Sequence, residues 1–375
     1  MTTPPRTPAG APEPILKVRS LTTRFRTEGA APARTSGSQA GTGHGTLMVT
    51  AVDDVSFDLY PAETLAIVGE SGCGKTVTSK SIMRLLPERT AVIDPRSQVL
   101  FEGINLATAD ARTMRRVRGD RIAMVFQEPM TSLNPVFTIG WQIDEALRYH
   151  TDLSAPQRRA RAIEMLRLVE MPEPERRIRE YPHQLSGGMR QRVMIAIALC
   201  CEPDVLIADE PTTALDVTVQ AQILALMDNL RRRLNTAIIL ITHNLGVVAQ
   251  VCDRVMVMYA GRVIETGPVL DIFHRPAHPY TRALLDSIPR QGRAAHGRRL
   301  PTIEGIVPSL LDLPPGCRFQ DRCKHRQQLC IDTEPELAPV ASSSGVDRDL
   351  RSARCHFPLN PPADQRVPLT VGGTP

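Results

Sequence analysis

Three short stretches of this 375-residue chain carry residue types suited to handling phosphate. The first, GESGCGKT, runs from Gly69 to Thr76 and fits the pattern G-x-x-x-x-G-K-[ST]. Gly69, Gly72 and Gly74, with Ser71 among them, let the backbone turn its N–H groups inward around phosphate oxygens. A helix that follows adds its positive N-terminal end. Lys75 is suited to neutralise β and γ oxygens, and Thr76 to offer a hydroxyl to Mg2+. A glycine-rich turn matching by chance is the plain alternative. The position of the motif, between the apolar run ETLAIVG and the helical pattern TVTSKSIMRLL, weighs against that.

The second stretch, VLIADE, is an apolar run ending in acid. Asp209 is placed to hold a magnesium shell and Glu210 to polarise a water against the γ-phosphate. Alone, it reads equally well as a surface acidic pair at a strand end. The third stretch, QLSGGMRQR, lies between the other two. It offers Ser186 as a helix N-cap and the exposed N–H groups of Gly187 and Gly188, a second anion site. One triphosphate does not need two such sites from one chain, so the second is expected to serve the nucleotide of another subunit.

The elements that must position these residues alternate. ILKVRSLTTRF and LMVTAVDDVSFDLY read as strands, followed by ETLAIVG, RIAMVFQ, DVLIAD and TAIILIT. Helical patterns cover TVTSKSIMRLL, residues from about 139 to 180, MRQRVMIAIALCC and VTVQAQILALMDNLRRRL. RVMVMY-AG-RVIETG reads as a hairpin with an imperfect glycine-containing turn. The prediction is an α/β domain with a mainly parallel core over 15–286. A Pro-rich tail is predicted at 1–14, a flexible insertion at 29–45, a loop-rich C-terminal module at 287–358 and a second tail at 359–375.

The net charge of +5 is modest, and no basic block is interleaved with aromatics, so nucleic acid is not an expected partner. The apolar runs fall short of the roughly 18 residues of a membrane helix. The N-terminus lacks a signal-peptide pattern, so a cytoplasmic location is expected. There, clustered thiols read as metal ligands or redox groups more readily than as disulfides. Cys317, Cys323, Cys330 and Cys355 form such a cluster, while Cys73, Cys200, Cys201 and Cys252 are scattered. Cys73 is read as a space-filling or oxidation-sensitive residue of the phosphate loop, and the other three as core thiols.

The order of the motifs resembles the ATP-binding subunits of ABC transporters. GESGCGKT resembles Walker A, Gln127 in VFQEP the Q-loop, LSGGM the signature, VLIADE Walker B, Ala214–Asp216 the D-loop and His243 in ITHN the switch histidine. Met189 stands where many members have Gln, a change common in the peptide-importer branch. QEPMTSLNPVFTIGWQIDEAL, HPYTRALLDSIP and the cysteine module also resemble the peptide/nickel importers, extending the likeness to about residue 358.

The resemblance implies a P-loop ATPase with a RecA-like core, an antiparallel β subdomain, a helical subdomain at about 139–180 and a small cysteine-containing C-terminal module. It implies ATP and Mg2+, with Thr76, Asp209 and Gln127 at the metal, Glu210 as general base, His243 as γ-phosphate sensor and Asp216 aligning the two halves of a dimer. Phe25 is the match for the aromatic that stacks on adenine, with a plain core role as its alternative. It further implies two permease subunits, a second ATPase subunit that is a related heteromeric partner, an external solute-binding protein, and a peripheral position on the cytoplasmic face of a bacterial plasma membrane. The cargo reading is di- or oligopeptides, with nickel, glutathione or another small solute as alternatives. A soluble ABC ATPase of repair or translation, or an ATP-binding scaffold without turnover, are more remote. Four thiolates suit zinc or a four-iron–four-sulfur cluster, with a reduced loop-stabilising set as the plain alternative; their spacing is looser than the C-x-x-C pairs of most structural zinc sites and, with the resemblance, favours the cluster.

Overall fold

The computed structural model describes residues 13–28, 46–127, 132–213, 215–288, 302–340 and 351–359. The insertion at 29–45 and most of the two tails lie outside the described residues, as does Ala214.

The larger sheet has the order β12 (Ala338–Pro339), β13 (Ser352–Ala353), β11 (Arg262–Pro268), β10 (Arg254–Tyr259), β3 (Thr64–Val68), β9 (Ala237–Ile241), β8 (Val205–Asp209), β7 (Ile122–Val125). Its centre, from β10 to β7, is parallel. Every residue of TLAIV, VLIAD and AIILI in β3, β8 and β9 is buried. Strands covered on both faces need such uninterrupted apolar runs. The registers set Asp209 against Ile241, Ala208 against Val125 and Ile67 against Ile241, so these strands end nearly level. Residues one or two positions beyond their C-terminal ends therefore converge on one rim, where parallel α/β sheets place ligand groups.

The second sheet is antiparallel: β1 (Leu16–Glu28) pairs β2 (Thr46–Leu59), β4 (Ala91–Ile93) and β5 (Gln98–Phe101), and β5 pairs β6 (Ile104–Asn105). The three short strands β4 to β6 and the helix Ala111–Val117 were not legible in the sequence, because each is too brief to show a period. The expected helical region resolves into Ile139–His150, Ala155–Leu168 and the short turn Pro174–Arg177. Thr138 caps the first through Trp141 N–H, and Ser154 opens the second with a capping box. Both pack with Gly187–Leu199 in a core that includes Ile143, Leu147, Met165, Leu166 and Val193.

The hairpin forms as expected, β10 returning through Ala260 and Gly261 to β11 (Arg262–Pro268). Both turn residues have positive φ, 44° and 85°, which is the twist a two-residue hairpin loop needs. Beyond β11 the chain is loop-rich: β12 (Ala338–Pro339) and β13 (Ser352–Ala353) extend the large sheet by two residues each. Cys73, Cys200 and Cys252 are buried as expected, whereas Cys201 is only half-buried.

Candidate functional site

The phosphate loop leaves β3 at Val68 and enters the helix Lys75–Ile82. Gly74 is the N-cap with φ 104°, and a Cβ there would lie 2.7 Å from the Ala51 carbonyl oxygen. Only glycine fits both demands. No side chain caps this helix, which leaves its first N–H groups for a ligand. Lys75 is buried, and its Nζ donates to the carbonyls of Gly69 at 2.8 Å and Glu70 at 2.9 Å. Ser71 and Gly72 are exposed at the loop's tip. Cys73 is fully buried beneath the loop, and burial pushes its thiol pKa up, which favours the space-filling role over reactivity.

Thr76 donates through Oγ1 to Asp209 Oδ1 at 3.1 Å, joining the loop to the end of β8. Burial pushes the Asp209 carboxyl above the usual range, partly offset by that hydrogen bond. A divalent cation beside it would favour the carboxylate form. Glu210 follows in the left-handed region, φ 48°, its N–H donating to Ile241 O at 2.9 Å. A non-glycine residue held there is strained, and such strain clusters at working sites. Three groups from three elements meet its Oε2: Thr213 Oγ1 at 2.9 Å, Gln127 Nε2 at 3.4 Å and His243 Nδ1 at 3.3 Å. Gln127 lies just beyond β7 and His243 just beyond β9, both exposed. Thr213 was missed in the sequence, although its position three residues after Glu210 places it one turn away.

The signature residues stand apart from that network. Ser186 caps the helix Gly187–Leu199, accepting from Met189 N–H. Gly187 packs against Leu215, and a Cβ at Gly188 would lie 2.8 Å from Val219 Cγ1. Asp216 caps the helix Val217–Leu234, accepting from Val219 N–H at 2.9 Å. Ser186, Gly187 and Asp216 are exposed, and Val217, next to Asp216, is 82 % exposed. Anion donors therefore face outward with no carboxylate or lysine of the first cluster bonded to them. Phe25 lies mid-strand in β1, half-buried, paired with Val49 and Ala91.

The four C-terminal thiols line one hollow together with His278, Phe319 and His325. Burial pushes the Cys317 and Cys355 thiols to about 11, so each is neutral near pH 7 without a cation beside it. Among the described residues, no three His, Cys, Asp or Glu side chains are arranged to hold a single metal ion. The expected metal, whether a four-iron–four-sulfur cluster or zinc, therefore has no preformed ligand set among the described residues.

Two family profiles match the chain: ABC transporter over residues 52–213, and Oligopeptide/dipeptide transporter, C-terminal region, over 264–330. The chain is 51% identical over 342 residues to the dipeptide transport ATP-binding protein DppD of Bacillus subtilis, covering 91% of this chain and 96% of that one. It is 54% identical over 292 residues to a probable peptide ABC transporter ATP-binding protein, y4tR, of Sinorhizobium fredii, covering 77% and 86%. Among solved structures it is similar to the dimeric post-hydrolysis state of the ATP-binding cassette MJ0796 bound to ADP and Pi. The TM-score there is 0.55 at 26% identity, covering 68% of this chain and 98% of that one.

Proposed function

The chain belongs to the ATP-binding subunits of ABC transporters that carry an oligopeptide/dipeptide-transporter C-terminal region, and from that membership we propose that it is the ATP-hydrolysing motor of a peptide importer. The observation that carries the catalytic reading is the convergence of Thr213, Gln127 and His243 on one oxygen of Glu210. Thr213 and Gln127 donate to it and His243 Nδ1 lies 3.3 Å away, so side chains from separate elements hold the carboxylate in one orientation, as a general base requires. The phosphate loop would bind the triphosphate, with Lys75 leaving its carbonyl partners for the β and γ oxygens. Mg2+, when bound, neutralises charge on the phosphates, and Thr76, Asp209 and Gln127 are the groups to hold it. Phe25 is the adenine-stacking candidate. His243 would sense the γ-phosphate.

Ser186, Gly187 and Gly188 would complete the nucleotide site of a second ATPase subunit, with Asp216 at the seam. Their outward exposure and separation from the first cluster support this. Donors for γ-phosphate charge then come from both sides of a closed dimer. We take the second subunit to be a related heteromeric partner. The segment after Gln127 would contact the two permeases, which would hold the motor at the cytoplasmic face of the membrane, with an external binding protein delivering cargo. No helix among the described residues is long and apolar enough to cross a membrane, so the motor needs such partners for transport.

We also propose that Cys317, Cys323, Cys330 and Cys355 hold a four-iron–four-sulfur cluster. Four thiols around one hollow support it, and a cluster would brace loops that have little sheet or helix of their own. Anaerobically purified protein lacking both iron and acid-labile sulfide would sink that assignment.

The function is tested by uptake of labelled di- and oligopeptides in cells whose chromosomal copy carries Glu210→Gln, with nickel and glutathione uptake measured beside it. Peptide uptake should collapse while the other two persist. Unchanged peptide uptake in a properly assembled complex would reassign the cargo.

A further inference from the structure

Glu70, the second residue of the phosphate loop, uses every polar group it has, and two of its three sets of partners come from the C-terminal region. Its carbonyl accepts from Lys75 Nζ at 2.9 Å. Its N–H donates to the Tyr280 hydroxyl at 2.9 Å, across 210 residues of chain. Its carboxylate takes two bonds from Arg322, Nη1 to Oε2 at 2.6 Å and Nη2 to Oε1 at 3.0 Å, across 252 residues. Arg322 lies in the short 3-10 turn Gln320–Arg322, immediately before Cys323.

Arg322 is fixed before it meets Glu70. Its side chain is 4 % exposed. Nε donates to Glu304 O at 3.0 Å, and Nη1 also reaches the Tyr259 hydroxyl at 3.3 Å. Its guanidinium lies over the Tyr259 and Phe319 rings at 5.7 and 5.9 Å. Those rings and Tyr280 form a close triangle, with centroids 4.7 to 5.3 Å apart. A buried guanidinium in a bidentate pair is a stiff, directional tether, unlike a surface ion pair. Arg318, one residue after Cys317, adds a second tether: it donates to Ala260 O at 2.6 Å in the hairpin turn. Gly261 of the same turn donates to Cys73 O in the loop at 3.0 Å.

We propose that Arg322 is a positioning residue of the ATP site: through Glu70 it holds the peptide that aims Lys75, so that the folded state of the cysteine module sets the affinity of the phosphate loop for nucleotide. This deepens the ATP-motor reading and rests on it. A loop already in its bound shape gives up less conformational freedom on binding, so its tether acts on affinity. Arg322 touches none of the reacting groups, so the rate of the chemical step is left alone. The module thus acts as a gauge: a chain whose cysteine turn is disordered or damaged still carries every ATP-site residue yet binds ATP weakly.

The experiment is calorimetric binding of MgATP to the full-length chain, with steady-state ATPase kinetics. Arg322→Ala should raise the Kd and KM for MgATP about tenfold while kcat stays within about twofold. Loss of this buried guanidinium should lower the melting temperature without nucleotide, so the stabilisation added by ATP is read against each variant's own nucleotide-free value and should shrink. Arg322→Lys, keeping one charge-assisted bond, should recover part of the affinity. Glu70→Gln, which leaves the C-terminal region intact, should weaken binding by itself and abolish the further effect of Arg322→Ala. Equal affinity in the native chain and Glu70→Gln would overturn the inference, as would an undiminished effect of Arg322→Ala in the Glu70→Gln chain. A native chain with no measurable MgATP affinity would instead overturn the ATP-motor reading itself.

Discussion

The nucleotide-binding rim and the cysteine module sit on the same large sheet but are built by opposite means. The rim takes its groups from residues just beyond level, fully buried strands, so apolar packing positions polar chemistry. Among the described residues the module has two two-residue strands, the 3-10 turn Gln320–Arg322 and the five-residue helix Gln328–Asp332, and it depends on arginines reaching into its host. Arg318 binds Ala260 O and pairs with Asp53 and Glu334, Arg354 bonds Val263 O and Pro335 O, and Arg322 grips Glu70. A segment too small for its own core borrows order from a larger neighbour. In return it can restrain that neighbour. The two regions should therefore fail differently when damaged: the rim in chemistry or in direct phosphate binding, the module in affinity alone.

The largest effect belongs to the rim. Lys75→Ala should weaken MgATP binding at least about 100-fold, since a buried charge-assisted contact to phosphate is lost in a preformed loop. Among the described residues its Nζ bonds carbonyls of its own loop and the Cys73 thiol, so the fold should persist by circular dichroism. Next, Glu210→Gln should lower turnover about 100- to 10,000-fold, the span of a positioned general base, while MgATP still binds. Thr213, Gln127 and His243 can all still meet the amide. Turnover at the native rate would remove Glu210 from the base role and end the contrast at its strongest point.

The same difference decides what was legible in the sequence. The rim residues are short, spaced motifs directly after apolar strands, so Lys75, Thr76, Asp209 and Glu210 could be singled out by type and spacing, and His243 by the family resemblance. The helix Val217–Leu234 was read with its observed bounds, because eighteen residues display their period and Asp216 marks the start. The tethers of the module were not legible. Nothing in GCRFQDRCKH says that Arg322 will find a carboxylate 252 residues away, because the pairing depends on the β10–β11 hairpin delivering Tyr259 and the helix Pro279–Asp286 delivering Tyr280. The four thiols were seen as a group by composition, yet their common hollow exists only once β13 brings Cys355 back beside β11.

A thiol substitution sharpens the comparison at intermediate size. Cys330 is buried, and its carbonyl accepts from Cys317 N–H at 2.8 Å, closing the loop that carries Arg318 and Arg322. Cys330→Ser should abolish any iron content and raise the KM for MgATP by roughly three- to tenfold, with kcat little changed. A fall in kcat at unchanged KM would show that the module acts on the chemistry and would erase the distinction between the regions.

The smallest effect tests the other edge of the rim. Val217 is 82 % exposed at the first turn of its helix, next to Asp216, in the helix whose Val219 lies against Gly188. In the isolated chain it has little to lose, so Val217→Ser should change stability by less than about 0.5 kcal/mol. If this surface is the seam of an ATP-closed dimer, the side chain becomes buried there, worth about 1.5 kcal/mol and hence about tenfold in dimer affinity. Sedimentation of the Glu210→Gln chain with MgATP, alone or with its partner ATPase, reads that difference against the unchanged melting temperature of the monomer. Equal dimer affinity with and without Val217 would place this apolar residue outside the seam, and the second nucleotide contact would then rest on Ser186 and the two glycines alone.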